Sequence, residues 1–93
     1  MKEKIQQSLK GILSNLYGSS DIDLDQYEIN LQDNKDKEHG DLASNIALIL
    51  ANPLKKNPKD IANEVIQQFV IDEDVLKVEV AGPGFINFFL SKN

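Results

Sequence analysis

A Gly-Pro-Gly corner between two alternating apolar runs is the feature that most constrains this sequence. The corner is Gly82, Pro83 and Gly84, and the runs cover residues 75–81 and 85–90. Proline fixes φ near the value needed at the first inner position of a turn. Glycine accepts a positive φ, so we expect Gly84 at the second inner position. Both runs alternate with a period of two, which predicts two strands joined by a turn.

The second strand carries different chemistry on its two faces. Ile86, Phe88 and Leu90 form a uniformly apolar face, which a sheet would bury first. Phe85 and Asn87 then share the opposite face, roughly 7 Å apart along the strand. A ring offers a surface on which a base can stack, and a carboxamide can pair with a base edge. The plainer alternative, favoured by the pattern alone, is that Phe85 covers the back of the sheet and Asn87 is merely exposed.

Composition limits the classes of protein to which the chain can belong. Its 93 residues are enough for one small domain over residues 1–93, and 41% apolar with 27% charged residues is typical of a soluble globular domain. There is no cysteine, which excludes disulfides and thiolate metal sites. His39 is the only histidine, so the chain alone cannot build a two-histidine zinc site. We therefore expect no metal site and no catalytic residue.

Hydropathy and charge bear on location and partners. No run approaches the ~20 apolar residues of a membrane span, and the N-terminus predicts an amphipathic helix instead of a signal peptide. We accordingly expect no membrane association and a cytoplasmic location. The net charge of −5 argues against a nucleic-acid binder that relies on broad phosphate neutralisation. Any contact with RNA would have to be local, with most of the affinity supplied elsewhere.

Helical periodicity predicts three helices. An apolar stripe covers residues 2–17, and Gly18 suits the left-handed position that ends a helix. Gly40 allows a sharp entry and Asp41 is a good N-cap for a second helix, predicted to run through residue 52. The third helix should have Asn57 as its cap and Pro58 at its first position. Its stripe continues to about residue 70 and includes residues 69 and 70.

The remaining segments predict strands, loops and one basic corner. Alternation over residues 27–32 predicts a half-buried strand, and a charged loop over residues 33–38 follows it. Lys55, Lys56 and Lys59 cluster at the corner before the third helix. The plainer interpretation is a solvated basic corner, and the alternative is a set of contacts to phosphates.

The order of elements predicts an α+β fold of two layers. We expect α-β-β-α-α-β-β, with the second strand short or irregular, and one small, mainly antiparallel sheet covered on one side by three helices. The other face of the sheet is then partly open. That openness would make the Phe85 and Asn87 face available to a partner.

Three stretches also occur in a recognisable order, at residues 39–45 (HGDLASN), 53–62 (PLKKNPKDIA) and 80–88 (VAGPGFINF). Together they closely resemble the N-terminal additional domain of arginyl-tRNA synthetases. The resemblance implies a four-stranded sheet against helices and a contact with the D-loop at the elbow of tRNA(Arg), which would orient and help select that tRNA. It implies that Phe85 and Asn87 read a D-loop base, while the three lysines remain candidate phosphate contacts.

The family's catalytic signatures do not appear in the sequence. Neither the HIGH-type nor the KMSKS-type motif of class I synthetases is present, so the resemblance implies a fragment cut after the first domain, which should not charge tRNA. The catalytic and anticodon-binding domains would lie elsewhere in the same chain, and ATP and Mg²⁺ would serve that full-length enzyme. The isolated fragment is expected to be monomeric and without a cofactor. The alternative function is an acidic protein–protein interaction module that uses the open sheet face.

Overall fold

The computed structural model describes residues 1–20, 22–35, 38 and 40–91. Within these ranges, three helices cover one face of a four-stranded sheet. The elements in chain order are α1 (Lys2–Tyr17), β1 (Leu31–Asp33), β2 (Leu42–Ser44), α2 (Ile46–Leu54), α3 (Pro58–Gln68), β3 (Val75–Ala81) and β4 (Phe85–Leu90). A short 3₁₀ turn, Leu24–Gln26, lies between α1 and β1. The predicted α+β fold and the order of its elements are confirmed.

The sheet is antiparallel throughout and has the order β1-β2-β4-β3. The last strand of the sequence is therefore central, with β2 on one side and β3 on the other. Phe88 lies opposite Leu42 on β2 and opposite Val78 on β3. Because side chains directly opposite each other point to the same face, this register fixes which residues face the helices.

The core lies between that inner face and the helices. Ile86 and Phe88 of β4 are fully buried, and the ring of Phe69 lies 5.4 Å from that of Phe88, centroid to centroid. Each helix contributes an apolar stripe to this core. The fully buried residues of these stripes are Ile5, Leu9, Ile46, Ala47, Leu50, Ile61, Ala62 and Val65. None of the helices in the described ranges is long and apolar enough to cross a membrane.

Two helix predictions are confirmed almost to the residue. The first helix spans Lys2–Tyr17, and the third begins at Pro58 with the Asn57 side chain accepting a hydrogen bond of 2.9 Å from the backbone N–H of Lys59. The predicted left-handed conformation of Gly18 is wrong, since its φ is −63°. Its N–H still donates to the carbonyl of residue 14, so the chain continues in the right-handed conformation past the helix end.

The prediction that Asp41 caps the second helix is also wrong. Residues 42–44 form β2, and α2 begins only at Ile46 with Asn45 as its N-cap residue. Asp41 instead fastens the central strand, because its N–H donates to the carbonyl of Phe88 at 2.8 Å and its carboxylate accepts from the N–H of Leu90 at 2.7 Å. The pairing of β2 with strands on both sides outweighs the helical propensity of these residues.

Gly40 does form a sharp corner, for a reason that the sequence did not supply. Its φ is +99°, and a Cβ at this position would lie 3.0 Å from the carbonyl oxygen of Phe88. Glycine is needed both for the positive φ and for the close approach to the central strand. The neighbouring His39 lies outside the described residues.

Three boundaries differ from the predictions. The strand expected over residues 27–32 begins at Leu31, and α2 continues through Pro53 to Leu54 before Lys55 ends it with a φ of +54°. The third helix ends at Gln68, so Val70 does not join its buried stripe and is 76% exposed.

The turn at the Gly-Pro-Gly corner is shifted by one residue. The N–H of Gly84 donates to the carbonyl of Ala81 at 3.4 Å, which makes Gly82 and Pro83 the inner positions. Pro83 therefore occupies the second inner position, not the first. Gly82 supplies the positive φ of +57° at the first inner position, and Gly84 also has a positive φ of +150°.

Candidate functional site

Phe85 and Asn87 lie on the same face of the sheet, opposite the helices. The residues between and beyond them on β4, Ile86 and Phe88, are fully buried against the helices. Phe85 is 40% exposed, whereas Asn87 is only 6% exposed. The ring is thus available at the surface, and the amide is more enclosed than the sequence indicated.

The enclosure of Asn87 comes from its own face of the sheet. Ala43 on β2 and Glu79 on β3 lie directly opposite it, and Phe85 and Phe89 flank it along β4. Cβ atoms of such pairs are about 4.5–5.5 Å apart, so a short side chain in a central strand is surrounded without any helix above it. Asn87 therefore forms the floor of a shallow patch.

The Asn87 amide is enclosed but chemically uncommitted. Its side chain makes no hydrogen bond to any other described residue. Both polar atoms of the amide are still accessible from the surface, since neither is a fully buried atom without a partner. A carboxamide in this state holds two donors and one acceptor for an incoming group, with its rotamers already restricted by neighbours.

The other aromatic residue on this face is already covered. The Nζ atom of Lys77 lies 5.0 Å from the centroid of the Phe89 ring and 2.6 Å from the carboxylate of Glu79. Lys77 and Glu79 thus form one side of the patch, and Phe85 remains the aromatic surface open for stacking. The pattern of residue types did not single out these two charged residues. The register of the two strands about a three-residue corner would have placed Glu79 opposite Asn87.

The glycines of the corner set the position of the Phe85 ring. A Cβ at Gly82 would lie 3.6 Å from a ring carbon of Phe85, so the ring lies directly over this glycine. A Cβ at Gly84 would lie 2.8 Å from the Cβ of Pro58, the first residue of α3. The corner and the start of α3 are therefore in direct contact, and the basic corner adjoins the end of β4 that carries Phe85.

The three lysines of the basic corner do not share one environment. Lys55 and Lys59 are exposed, and the side-chain ammonium group of neither forms an ion pair or hydrogen bond with a described residue. Lys56 instead has its Nζ atom 2.5 Å from the carboxylate of Glu64 and 5.4 Å from the centroid of the Tyr17 ring. Two of the three candidate phosphate contacts are thus available, and the third is engaged on the helical side.

Tyr17 lies next to this corner, in contact with Lys56. Burial, together with the nearby charge of Glu64, raises the pKa of the Tyr17 phenol to about 12. Its hydroxyl is buried and has no hydrogen-bond partner within the described ranges. A raised phenol pKa is the expected effect of burial, which agrees with the packing of Tyr17 in the core.

No arrangement for metal binding is found in the part of the chain that the structure describes. Groups of three or more His, Cys, Asp or Glu side chains with suitable spacing do not occur there. The candidate binding groups are therefore the Phe85 and Asn87 patch and, beside it, Lys55 and Lys59.

Comparison with known proteins gives the family. Residues 1–90 match the family described as "Arginyl tRNA synthetase N terminal domain". The chain belongs to this family. It is 46% identical over 94 residues to the arginine–tRNA ligase of Psychromonas ingrahamii, covering 100% of this chain and 16% of that protein. It is 43% identical over 91 residues to the ligase of Legionella pneumophila, covering 97% of this chain and 15% of the ligase.

Solved structures show the same fold. The arginyl-tRNA synthetase of Thermus thermophilus matches with a TM-score of 0.76 at 20% identity, over 98% of this chain and 14% of that one. The enzyme of Plasmodium falciparum matches with a TM-score of 0.77 at 18% identity, over 97% of this chain and 16% of that one. The arginyl-tRNA synthetase N-terminal domain described here thus spans about 16% of the length of the curated relatives.

Proposed function

We propose that this domain contacts the D-loop of tRNA(Arg) at the elbow, as the N-terminal part of an arginine–tRNA ligase. In this proposal one unstacked base lies on the Phe85 ring, and the Asn87 amide pairs with its edge. The observation that carries the proposal is the combination of a 40% exposed ring and an uncommitted amide on one helix-free face. Recognition of unpaired RNA bases relies on these two chemistries, stacking and edge pairing.

The basic corner fits the same mode of binding. Lys55 and Lys59 adjoin the Phe85 end of β4 through the contact between Gly84 and Pro58. They offer positive charge for phosphates next to the base, on a chain with a net charge of −5. Lys56 is not assigned this role, because it is engaged by Glu64 and Tyr17. The attraction for RNA is then local. The net negative charge of the domain repels other phosphates and so disfavours nonspecific RNA binding.

The energies of these contacts imply weak binding by the domain alone. Stacking on one aromatic side chain is worth about 1–3 kcal/mol, and a good base-edge pair discriminates by about 1–3 kcal/mol. Their sum remains below the ~8 kcal/mol that micromolar affinity requires. The remainder of the ligase would hold the tRNA and raise the effective concentration of the D-loop at this patch.

The catalytic residues for aminoacylation would lie in the rest of the ligase. We assign the reaction with ATP and Mg²⁺ to the catalytic domain of the full-length ligase, and no step of it to residues of this domain. The role of the patch is to orient the tRNA and to favour tRNA(Arg) over other tRNAs.

Steady-state aminoacylation by a full-length ligase that begins with this sequence tests the assignment. Phe85→Ala should raise the KM for tRNA by about 5- to 150-fold, the equivalent of about 1–3 kcal/mol, with the KM for arginine and ATP unchanged. Phe85→Tyr should retain the wild-type KM because it keeps the ring, and Phe85→Leu should behave as the alanine variant. Unchanged tRNA kinetics in the alanine and leucine variants would refute the stacking role.

A further inference from the structure

A second surface of this domain exposes large apolar side chains that its own core does not use. Val70 is 76% exposed, Ile71 50% and Leu76 56%. They lie in the connection between α3 and β3 and at the start of β3. Single exposed apolar residues are ordinary, but three that flank one turn are typical of a site that contacts another polypeptide.

The turn that carries these residues is firmly held. The N–H of Asp72 donates to the carbonyl of Val75 at 3.1 Å, and the Asp72 carboxylate accepts from the N–H of Asp74 at 2.8 Å and of Val75 at 2.9 Å. Lys4 of α1 contacts the carboxylates of both Asp72 and Asp74, at 2.9 and 2.6 Å. The apolar side chains on either side of this turn are therefore presented by an ordered backbone, and their exposure does not come from fraying.

The surface extends towards the first helix. Val70 borders a shallow groove against α1. Gly11 and Ile12 line its apolar part, and Gln7, Ser8, Asn15 and Gln68 line its polar part. A Cβ at Gly11 would meet no atom within 4 Å, so the groove has free space above the helix. An apolar side chain from another polypeptide could enter there without displacing any part of this domain.

A contact made by Ser91 indicates which polypeptide covers the surface. The N–H of Ser91 donates to the carbonyl of Asp74 at 2.8 Å, so the residue after β4 lies beside the turn that carries Ile71 and Leu76. This chain corresponds to 16% of the length of its Psychromonas relative, in which most of the polypeptide lies outside the matched region. A continuing chain would leave this domain next to the apolar surface, which gives contacts there a high effective concentration.

We propose that Val70, Ile71 and Leu76 form the docking surface for the polypeptide that follows this domain in the ligase. The proposal rests on the proposed function in that it takes the domain to be the first part of a longer ligase. The complementary surface should be apolar at its centre and basic at its rim, opposite the exposed Glu73. Leu76 and the hairpin corner lie about 16 Å apart along β3, so docking would leave the Phe85 and Asn87 patch accessible.

Hydrogen–deuterium exchange without tRNA tests the docking surface independently of RNA binding. Backbone amides of residues 70–76 are compared between the 93-residue chain and a full-length ligase that begins with it. We expect exchange at least 10-fold slower in the ligase. The double variant Ile71→Gln and Leu76→Gln should return these amides of the ligase to the rate of the isolated chain, whereas Phe85→Ala should not.

Three results would overturn the proposal. One is equal exchange of residues 70–76 in the isolated chain and the ligase. Another is a lower melting temperature of the isolated chain carrying the double variant, which would make Ile71 and Leu76 part of its own fold. The third is an isolated chain that dimerises in light-scattering measurements and is made monomeric by Leu76→Gln, which would assign the surface to a second copy. A normal KM for tRNA in the Phe85 variants would refute the RNA contact alone.

Discussion

Gly84→Ala tests the contact that joins the hairpin corner to the third helix. An added Cβ would lie 2.8 Å from the Cβ of Pro58 and 3.1 Å from its carbonyl carbon and oxygen, and most of these atoms are backbone or a rigid ring. Overpacking of this kind costs about 1–3 kcal/mol. The φ of +150° adds backbone strain of about 1–3 kcal/mol for a residue with a Cβ. We expect a total destabilisation of about 2–6 kcal/mol.

Gly11→Ala is the matched control for this prediction. Gly11 lies within α1, and a Cβ there would meet nothing within 4 Å, so alanine should stabilise the domain by about 0.5–1 kcal/mol. Urea unfolding of the 93-residue chain, followed by circular dichroism, measures both variants against wild type. If Gly84→Ala unfolds at the wild-type urea concentration while Gly11→Ala is stabilised, the corner does not contact Pro58. The placement of the lysines beside Phe85 would then be wrong.

Three further predictions concern stability. The hydrogen bond from Lys4, aided by the N–H groups of Val75 and Asp74, lowers the pKa of Asp72 from 3.8 to about 2. The stabilisation by Asp72 should thus be complete above about pH 5 and lost as the pH falls through the folded pKa of about 2, so urea midpoints of wild type and Asp72→Asn should converge in acid. Tyr17→Phe should be neutral or stabilising by up to about 1 kcal/mol in the same assay, because the buried hydroxyl has no partner among the described residues. Asp41→Ala should destabilise the domain by about 1.5–3 kcal/mol, since the N–H of Leu90 in β4 loses a charged acceptor.

The parts of the fold that depend on neighbours in sequence could be predicted. The first helix follows from its own apolar stripe, and the third begins where Asn57 and Pro58 supply a local cap and a fixed φ. The shared face of Phe85 and Asn87 follows from alternation within one strand. Each of these features is decided within a few residues.

The parts that depend on distant partners could not be predicted in this way. Residues 42–44 fit the apolar spacing of the helix that follows, and only their pairing with β1 and β4 makes them a strand. Val70 fits the stripe of α3, but the helix ends when Phe69 packs on Phe88. The enclosure of Asn87 likewise requires strands on both sides, which no local pattern reveals.

An NMR titration of the ¹⁵N- and ¹³C-labelled 93-residue chain with a tRNA(Arg) transcript tests directly whether Phe85 and Asn87 bind a D-loop base. The method detects the weak binding expected of the isolated domain. We expect the ring signals of Phe85 and the side-chain amide of Asn87 to shift together, and a transcript lacking the D-loop base to abolish both shifts. Shifts confined to other surfaces, with these two side chains unaffected by saturating tRNA, would refute base recognition by Phe85 and Asn87.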